Sequence, residues 1–221
     1  MHQFLANRGY AMLSTNFKGS TGLGKAFTNA GDFEWGRKMH DDLLDAVRWA
    51  IDEGIAYPRK IAITGGSYGG YAALVGLTAT PQTFACGVDI VGPSKLITLL
   101  ESIPPYREPM LNVFSTRVGD HRTDAGKALL TERSPLIHVD EISRPLLIGQ
   151  GANDPRVKHA ESDQIVQAMQ DKDIPVTYVL YSDEGHGFLR PENALSFSAV
   201  AEAFLAEHLG GRWETISRAR R

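Results

Sequence analysis

A chain of 221 residues is long enough for one α/β domain with a sizeable core and short for two. An apolar fraction of 43% beside 22% charged residues is that of an ordinary soluble globular chain, and a net charge of -3 gives no basis for a nucleic-acid or anionic-membrane partner. The single cysteine, Cys86, excludes an internal disulfide and any multi-cysteine zinc site; it lies in an apolar run where a small buried residue is expected.

The opening residues (MHQFLANRGYAML) lack the basic stretch and long apolar run of a signal peptide. No window approaches the ~18 uninterrupted apolar residues of a membrane span, and the single cysteine makes a reducing, cytoplasmic compartment the default expectation. Strand-like and helix-like segments then alternate, which predicts a mainly parallel sheet covered by helices on both faces. Residues 10–16 (YAMLSTN) read as a strand entered through Gly9. Residues 41–53 carry Leu44, Val47 and Ile51 at helical spacing and stop at Gly54. Residues 60–64 (KIAIT) read as a strand, and 71–79 as a helix of small residues behind it. Two further buried strands follow at 85–91 and 145–149 (PLLIG). An amphipathic helix is predicted over 162–170, a last strand over 176–181 (VTYVLY), and a last helix over 191–209, opened by Pro191 and closed by Gly210-Gly211. Between 93 and 143 the rhythm is lost at Pro104-Pro105, Pro109 and Pro135, as in an insertion over a site or irregular helices at a sheet edge. The arginines at the end (Arg212, Arg218, Arg220, Arg221) read as a solvated tail over 212–221.

The chemistry is concentrated in Gly65-Gly66-Ser67-Tyr68-Gly69-Gly70, between a strand and a helix. This is the G-x-S-x-G nucleophile elbow in its required context. A sharp strand-to-helix turn holds the hydroxyl above the sheet, aims the helix N-terminus at developing negative charge, and calls for small neighbours, here Gly65 and Gly69. Serine is a poor nucleophile alone, so a base and an orienting acid are needed, in the chain order Ser, Asp or Glu, His. Asp154 follows the strand PLLIG, and His186 follows the last strand within Glu184-Gly185-His186-Gly187-Phe188. Both fall at the carboxyl ends of parallel strands, where open α/β sheets place their sites. His2, His40, His121, His138, His159 and His208 are less well placed. Ser67, Asp154 and His186 are therefore the expected triad of a serine hydrolase of α/β-hydrolase fold, with the Tyr68 N–H as one oxyanion donor.

At these residues the chain resembles the prolyl oligopeptidase family of serine peptidases, especially its acylaminoacyl-peptidase and dipeptidyl-aminopeptidase-like members. The resemblance runs end to end through NFKGSTGLGKAF (16–27), Trp35-Gly36, GGSYGGY, SPL (134–136), GANDPRV (151–157) and EGHGF (184–188). It implies a hydrolase domain over 1–211 and hydrolysis of short peptides. It also implies that Arg156 holds a substrate carbonyl, that Val157 lines the pocket for the residue before the scissile bond, and that Tyr68 and Tyr71 add aromatic wall; Ile97 and Leu100 are weaker choices. Family members also carry, upstream of the segment matching 4–10, a strand and an HGGP-like loop giving the second oxyanion donor. Before that comes a large substrate-filtering domain. None of these is in the sequence, so the resemblance implies a truncated catalytic domain whose sheet has a gap or re-pairs, and leaves an oligomer open. An esterase or lipase uses the same triad, and a catalytically impaired fragment is the other alternative.

A near match to a phosphate-binding loop (Gly19 to Ala26) lacks the hydroxyl that would hold magnesium, since Ala26 stands there. His121 and Asp124 have suggestive spacing without further ligands nearby, so no metal or other cofactor is expected.

Overall fold

The structure, a computed structural model, describes residues 2–214. In chain order it runs α1 (His2–Asn7), α2 (Lys25–Asn29), α3 (Lys38–Asp52), β1 (Ala62–Gly66), α4 (Tyr68–Ala79) and β2 (Cys86–Ile90). There follow α5 (Leu96–Glu101), α6 (Glu108–Arg117), α7 (Asp124–Glu132), β3 (Leu146–Gly151), α8 (His159–Gln170), β4 (Val176–Tyr181) and α9 (Pro191–Leu209). The four strands are parallel and lie in the order β1-β2-β3-β4. β2 and β3 are buried nearly throughout, whereas β1 and β4 alternate in exposure, as befits edges.

Alternate side chains of each strand feed two cores. Leu146 and Ile148 pack with Leu74, Leu77, Ile165 and Met169 from α4 and α8, and Leu44 and Val47 bring α3 to the same face. Cys86, Val88 and Leu147 point the other way, against Leu5 of α1 and Phe197, Phe204 and Leu205 of α9. Cys86 is fully buried, and burial pushes its thiol up to about 12, which makes it inert packing. A third cluster sits over the carboxyl end of the sheet, where Tyr71 and Val75 meet Leu96, Leu99, Leu100, Leu130 and Val157. The residues between 93 and 143 are thus mostly helical: α5, α6 and α7, with 3₁₀ turns at Pro105–Arg107 and Pro135–Glu141. Prolines at 109 and 135 open helical pieces here and so interrupt the pattern without abolishing it.

One expectation is corrected: residues 10–16 form no strand. The Tyr10 N–H turns back to the Leu5 carbonyl at 3.1 Å, while Tyr10 and Met12 rest against the core under α9. A strand exists only through a partner's backbone, and no neighbour bridges this segment to β1. Among the described residues β1 is therefore an edge of the sheet, and its Thr64 and Gly66 are exposed. Arg212 is exposed; its N–H donates to the Arg8 carbonyl at 3.0 Å and its guanidinium to the Asn7 side chain at 3.0 Å, at the end of α1. Residues 215–221, with Arg218, Arg220 and Arg221, lie outside the described residues.

One buried polar contact ties α3 to the sheet-covering helix α4. His40, 5% exposed, lies 2.9 Å through Nε2 from Thr80 Oγ1, and Thr80 Oγ1 itself donates to the Gly76 carbonyl at 3.2 Å. Nε2 must then carry the proton, and Nδ1 is buried without a partner. Burial lowers the His40 pKa below the ordinary histidine value, with Asp41 opposing weakly. The unfolded chain therefore binds this proton more readily, and the contact's stability is present above the unfolded pKa and lost as pH falls. Thermal melts at about pH 7.5 and about pH 5.5 should show the wild type losing up to about 1.4 kcal/mol per pH unit relative to His40→Leu. Parallel pH dependence in the two proteins would exclude His40 as the source.

Candidate active site

Ser67 is the only residue between β1 and α4, so the chain must reverse direction at one position. Its backbone takes φ 57° and ψ −115°, a conformation costing roughly 1–3 kcal/mol outside glycine. The Ser67 N–H is anchored on the Ile90 carbonyl at 2.8 Å, and the Ser67 carbonyl accepts the Tyr71 N–H at 3.0 Å. A Cβ on Gly65 would lie 2.4 Å from the Gly69 carbonyl carbon, so residue 65 must be glycine. The requirement runs one way. A Cβ on Gly69 would meet nothing within 4 Å, which corrects the expectation that both flanks must be small.

The other two residues meet this hydroxyl from separate loops. His186 Nε2 lies 3.0 Å from Ser67 Oγ, and His186 Nδ1 lies 2.8 Å from Asp154 Oδ2. With Nδ1–H donating to the carboxylate, Nε2 is left to accept the serine proton. Asp154 is 2% exposed, and its second oxygen accepts the Arg156 and Val157 N–H groups at 2.8 and 2.9 Å. Burial opposes its ionisation, but the donations from His186, Val157 and Arg156 outweigh burial and hold the carboxyl below the usual range.

These loops are tied by their backbones. The Asn153 N–H donates to the Glu184 carbonyl at 2.9 Å, and its side chain to the Ser182 carbonyl at 2.7 Å. A Cβ on Gly151 would sit 2.2 Å from the Gly185 carbonyl oxygen, so the loops touch only because residue 151 is glycine. The Glu184 carboxylate accepts the Leu189 and Arg190 N–H groups at 3.1 and 2.8 Å and fixes the turn after His186. Sequence reasoning passed over Asn153 and Glu184 as organisers, although both sit inside the motifs quoted for their neighbours.

Tyr68 opens α4, so its N–H has no intrahelical partner and is available beside Ser67. Its ring is held between Phe17 and Trp35, at centroid distances of 5.1 and 4.7 Å, and Trp35 also meets Phe114 at 6.0 Å. This aromatic wall draws on three distant segments, so no local spacing announces it. Tyr71 is not part of it as a substrate surface. It is 0% exposed, its hydroxyl donates to the Arg133 carbonyl at 2.9 Å, and its role is structural. Gly36, at φ 68°, is the residue that lets it in, since a Cβ there would lie 2.8 Å from the Tyr71 hydroxyl. Val157 is buried in the cluster whose partly exposed members include Tyr68, Ile97 and Phe114. The Arg156 side chain is exposed.

Elsewhere, His159 is engaged with Asp163 at 2.6 Å. Among the described residues, no group of His, Cys, Asp or Glu is arranged to hold a metal ion, and no helix is long and apolar enough to cross a membrane.

The geometry has close counterparts among known proteins. A model of the prolyl oligopeptidase family matches residues 1–212. The chain is 66% identical to dipeptidyl aminopeptidase BIII of Pseudoxanthomonas mexicana, over 98% of this chain and 32% of that protein. It is 54% identical to dipeptidyl peptidase family member 6 of Caenorhabditis elegans, over 96% of this chain and 29% of that one. A solved puromycin-hydrolyzing peptidase of Mycobacterium tuberculosis superposes with a TM-score of 0.82 at 31% identity, covering 91% of this chain and 30% of that one. The chain thus spans about a third of the length of the relatives it matches, and over that span it belongs to the prolyl oligopeptidase family.

Proposed function

We propose that this chain is the catalytic part of a serine-type peptidase that acts on short peptides, with Ser67 as nucleophile, His186 as general base and acid, and Asp154 as orienting carboxylate. The observation that carries the reading is the continuous hydrogen-bonded path from Asp154 Oδ2 through His186 to Ser67 Oγ, with steps of 2.8 and 3.0 Å. As Ser67 Oγ attacks the scissile carbonyl, His186 Nε2 takes its proton. Asp154, kept ionised by three donors, stabilises the imidazolium that forms. The carbonyl oxygen becomes an oxyanion beside the Tyr68 N–H and the positive end of α4. Collapse passes the proton to the leaving amine and leaves the acyl group on Ser67. Water then repeats the sequence and releases the acid.

The substrate reading follows from the relatives and the apolar cluster together. Two relatives at 66% and 54% identity are named for releasing dipeptides, which supports an aminopeptidase that removes two residues at a time. Arg156, exposed next to the acid loop, is free to hold a substrate carbonyl, and Val157 closes the floor beneath an apolar side chain.

Ser67→Ala should abolish labelling by a fluorophosphonate probe and all hydrolysis, whereas His159→Ala should retain both. Asp154→Asn should reduce turnover by up to about ten-thousandfold, because the amide holds the wrong imidazole tautomer. Dipeptide aryl amides with a free amino terminus should be cleaved, and Val157→Asp should hurt those with an apolar residue before the scissile bond most. Labelling of the Ser67→Ala protein at another serine would overturn the nucleophile. Activity confined to p-nitrophenyl esters would favour an esterase.

A further inference from the structure

A buried carboxylate outside the triad joins the acid loop to the apolar cluster. Glu161 lies in the first turn of α8, just beyond Val157, and is 3% exposed. One of its oxygens accepts the Ser94 N–H at 3.1 Å, the Lys95 N–H at 2.8 Å and the Gln164 side-chain amide at 3.0 Å; the other accepts the Thr98 hydroxyl. The Ser94 hydroxyl donates in turn to the Glu161 carbonyl at 2.6 Å. The Ser94 and Lys95 N–H groups and the Gln164 amide donate to the carboxylate, while the Thr98 hydroxyl also lies 3.0 Å from the Lys95 carbonyl. Burial pushes the Glu161 carboxyl up, and these hydrogen bonds oppose it.

What this carboxylate holds is α5. That helix has six residues and no side-chain cap of its own, too short to be stable without tertiary support. Its amino end is fixed by Glu161 and by the Ser134 hydroxyl, which accepts the Leu96 N–H at 2.9 Å. Its apolar side delivers Leu100 and Ile97 to the cluster that contains Val157. The triad does not depend on α5. Ser67 hangs on β1 and α4, Asp154 and His186 on loops tied to each other, and α8 keeps its own contacts through Ile165, Met169 and a Ser162–Gln150 bond of 2.9 Å.

We infer that Glu161 is a specificity-positioning residue: by accepting the Ser94 and Lys95 N–H groups and the Thr98 hydroxyl, it sets the Ile97–Leu100 side of the pocket against Val157. This rests on the peptidase reading for the identity of the side chain received. With Glu161 replaced by glutamine, the amino end of α5 is left with the Ser134 hydroxyl as its one well-matched partner, and the pocket loses its fit for a large apolar side chain while the reacting groups stay in place.

The test uses Glu161→Gln, which presents an amide NH₂ to donors, and Thr98→Val, which removes one donor and keeps the shape. Both are compared with wild type for the rate of fluorophosphonate labelling of Ser67. They are also compared for kcat and KM on two dipeptide aryl amides that differ only in leucine or glycine before the scissile bond. Glu161→Gln should raise KM for the leucine amide about tenfold, leave the glycine amide and kcat nearly unchanged, and keep labelling within about twofold; Thr98→Val should move the same quantities less. Loss of labelling together with both amides would make Glu161 a general support of the fold, and an unchanged leucine preference in both variants would remove it from the pocket; either overturns the inference. If wild type cleaves neither amide, the peptidase reading fails by itself. The same comparison then moves to p-nitrophenyl acetate and hexanoate, where an intact chain-length preference in Glu161→Gln overturns the positioning role.

Discussion

The backbone of Gly65 passes so close to that of Gly69 that no side chain fits between them, and the rest of the site is arranged around that crowding. It forces the reversal of direction onto Ser67 alone, in a conformation that a non-glycine residue resists. The same reversal brings the first turn of α4 under the hydroxyl and leaves the Tyr68 N–H without an intrahelical partner. Strain is tolerated because the neighbours over-determine the turn: β2 takes the Ser67 N–H through Ile90, and α4 takes its carbonyl through Tyr71. Under the proposed mechanism, presentation of Ser67 and stabilisation of the oxyanion thus have one steric origin.

Around this fixed point, the mobile parts are restrained by polar groups more than by apolar packing. Two loops that are far apart in sequence carry Asp154 and His186, and they touch through main-chain bonds and the missing side chain of Gly151. Asp154 is buried deeply enough to resist ionisation, yet three donors keep it charged. Such an arrangement is stiff in both senses, since removing either partner leaves a buried group unsatisfied. Glu161, seven residues further on, is a second buried acid that accepts main-chain N–H groups; there burial outweighs the donors and raises the carboxyl, and what it holds is a helix too short to hold itself.

The sheet edge shows the same logic from the side of omission. β1 keeps its place because β2 pairs with it in register from Ala62 to Gly66 and α4 folds back over it. Residues 10–16 have neither support and form no ladder, although Tyr10 and Met12 still pack against the core under α9.

The amino-acid sequence by itself determined the order of the central elements and the three residues that meet at the elbow. Strand and helix periods are local, and G-x-S-x-G, the residues around Asp154 and the residues around His186 each sit at a strand end that can be read from a few neighbours. β4 and α9 span the residues their patterns predict, and the other central elements agree to within about three residues at most ends. What only the tertiary structure decided is everything that depends on a distant partner. Residues 10–16 have strand composition but no strand to pair with. Tyr71 looks like a wall residue beside the nucleophile, yet Gly36 and the Arg133 carbonyl, far away in sequence, draw it into the core. The helix Leu96–Glu101, the shortest α-helix of the proline-interrupted stretch between 93 and 143, owes its place to Ser134 and Glu161 and not to a period of its own. Local spacing encodes what a segment tends to form; whether that tendency is realised, and which face it shows to substrate, is set by contacts that spacing does not carry.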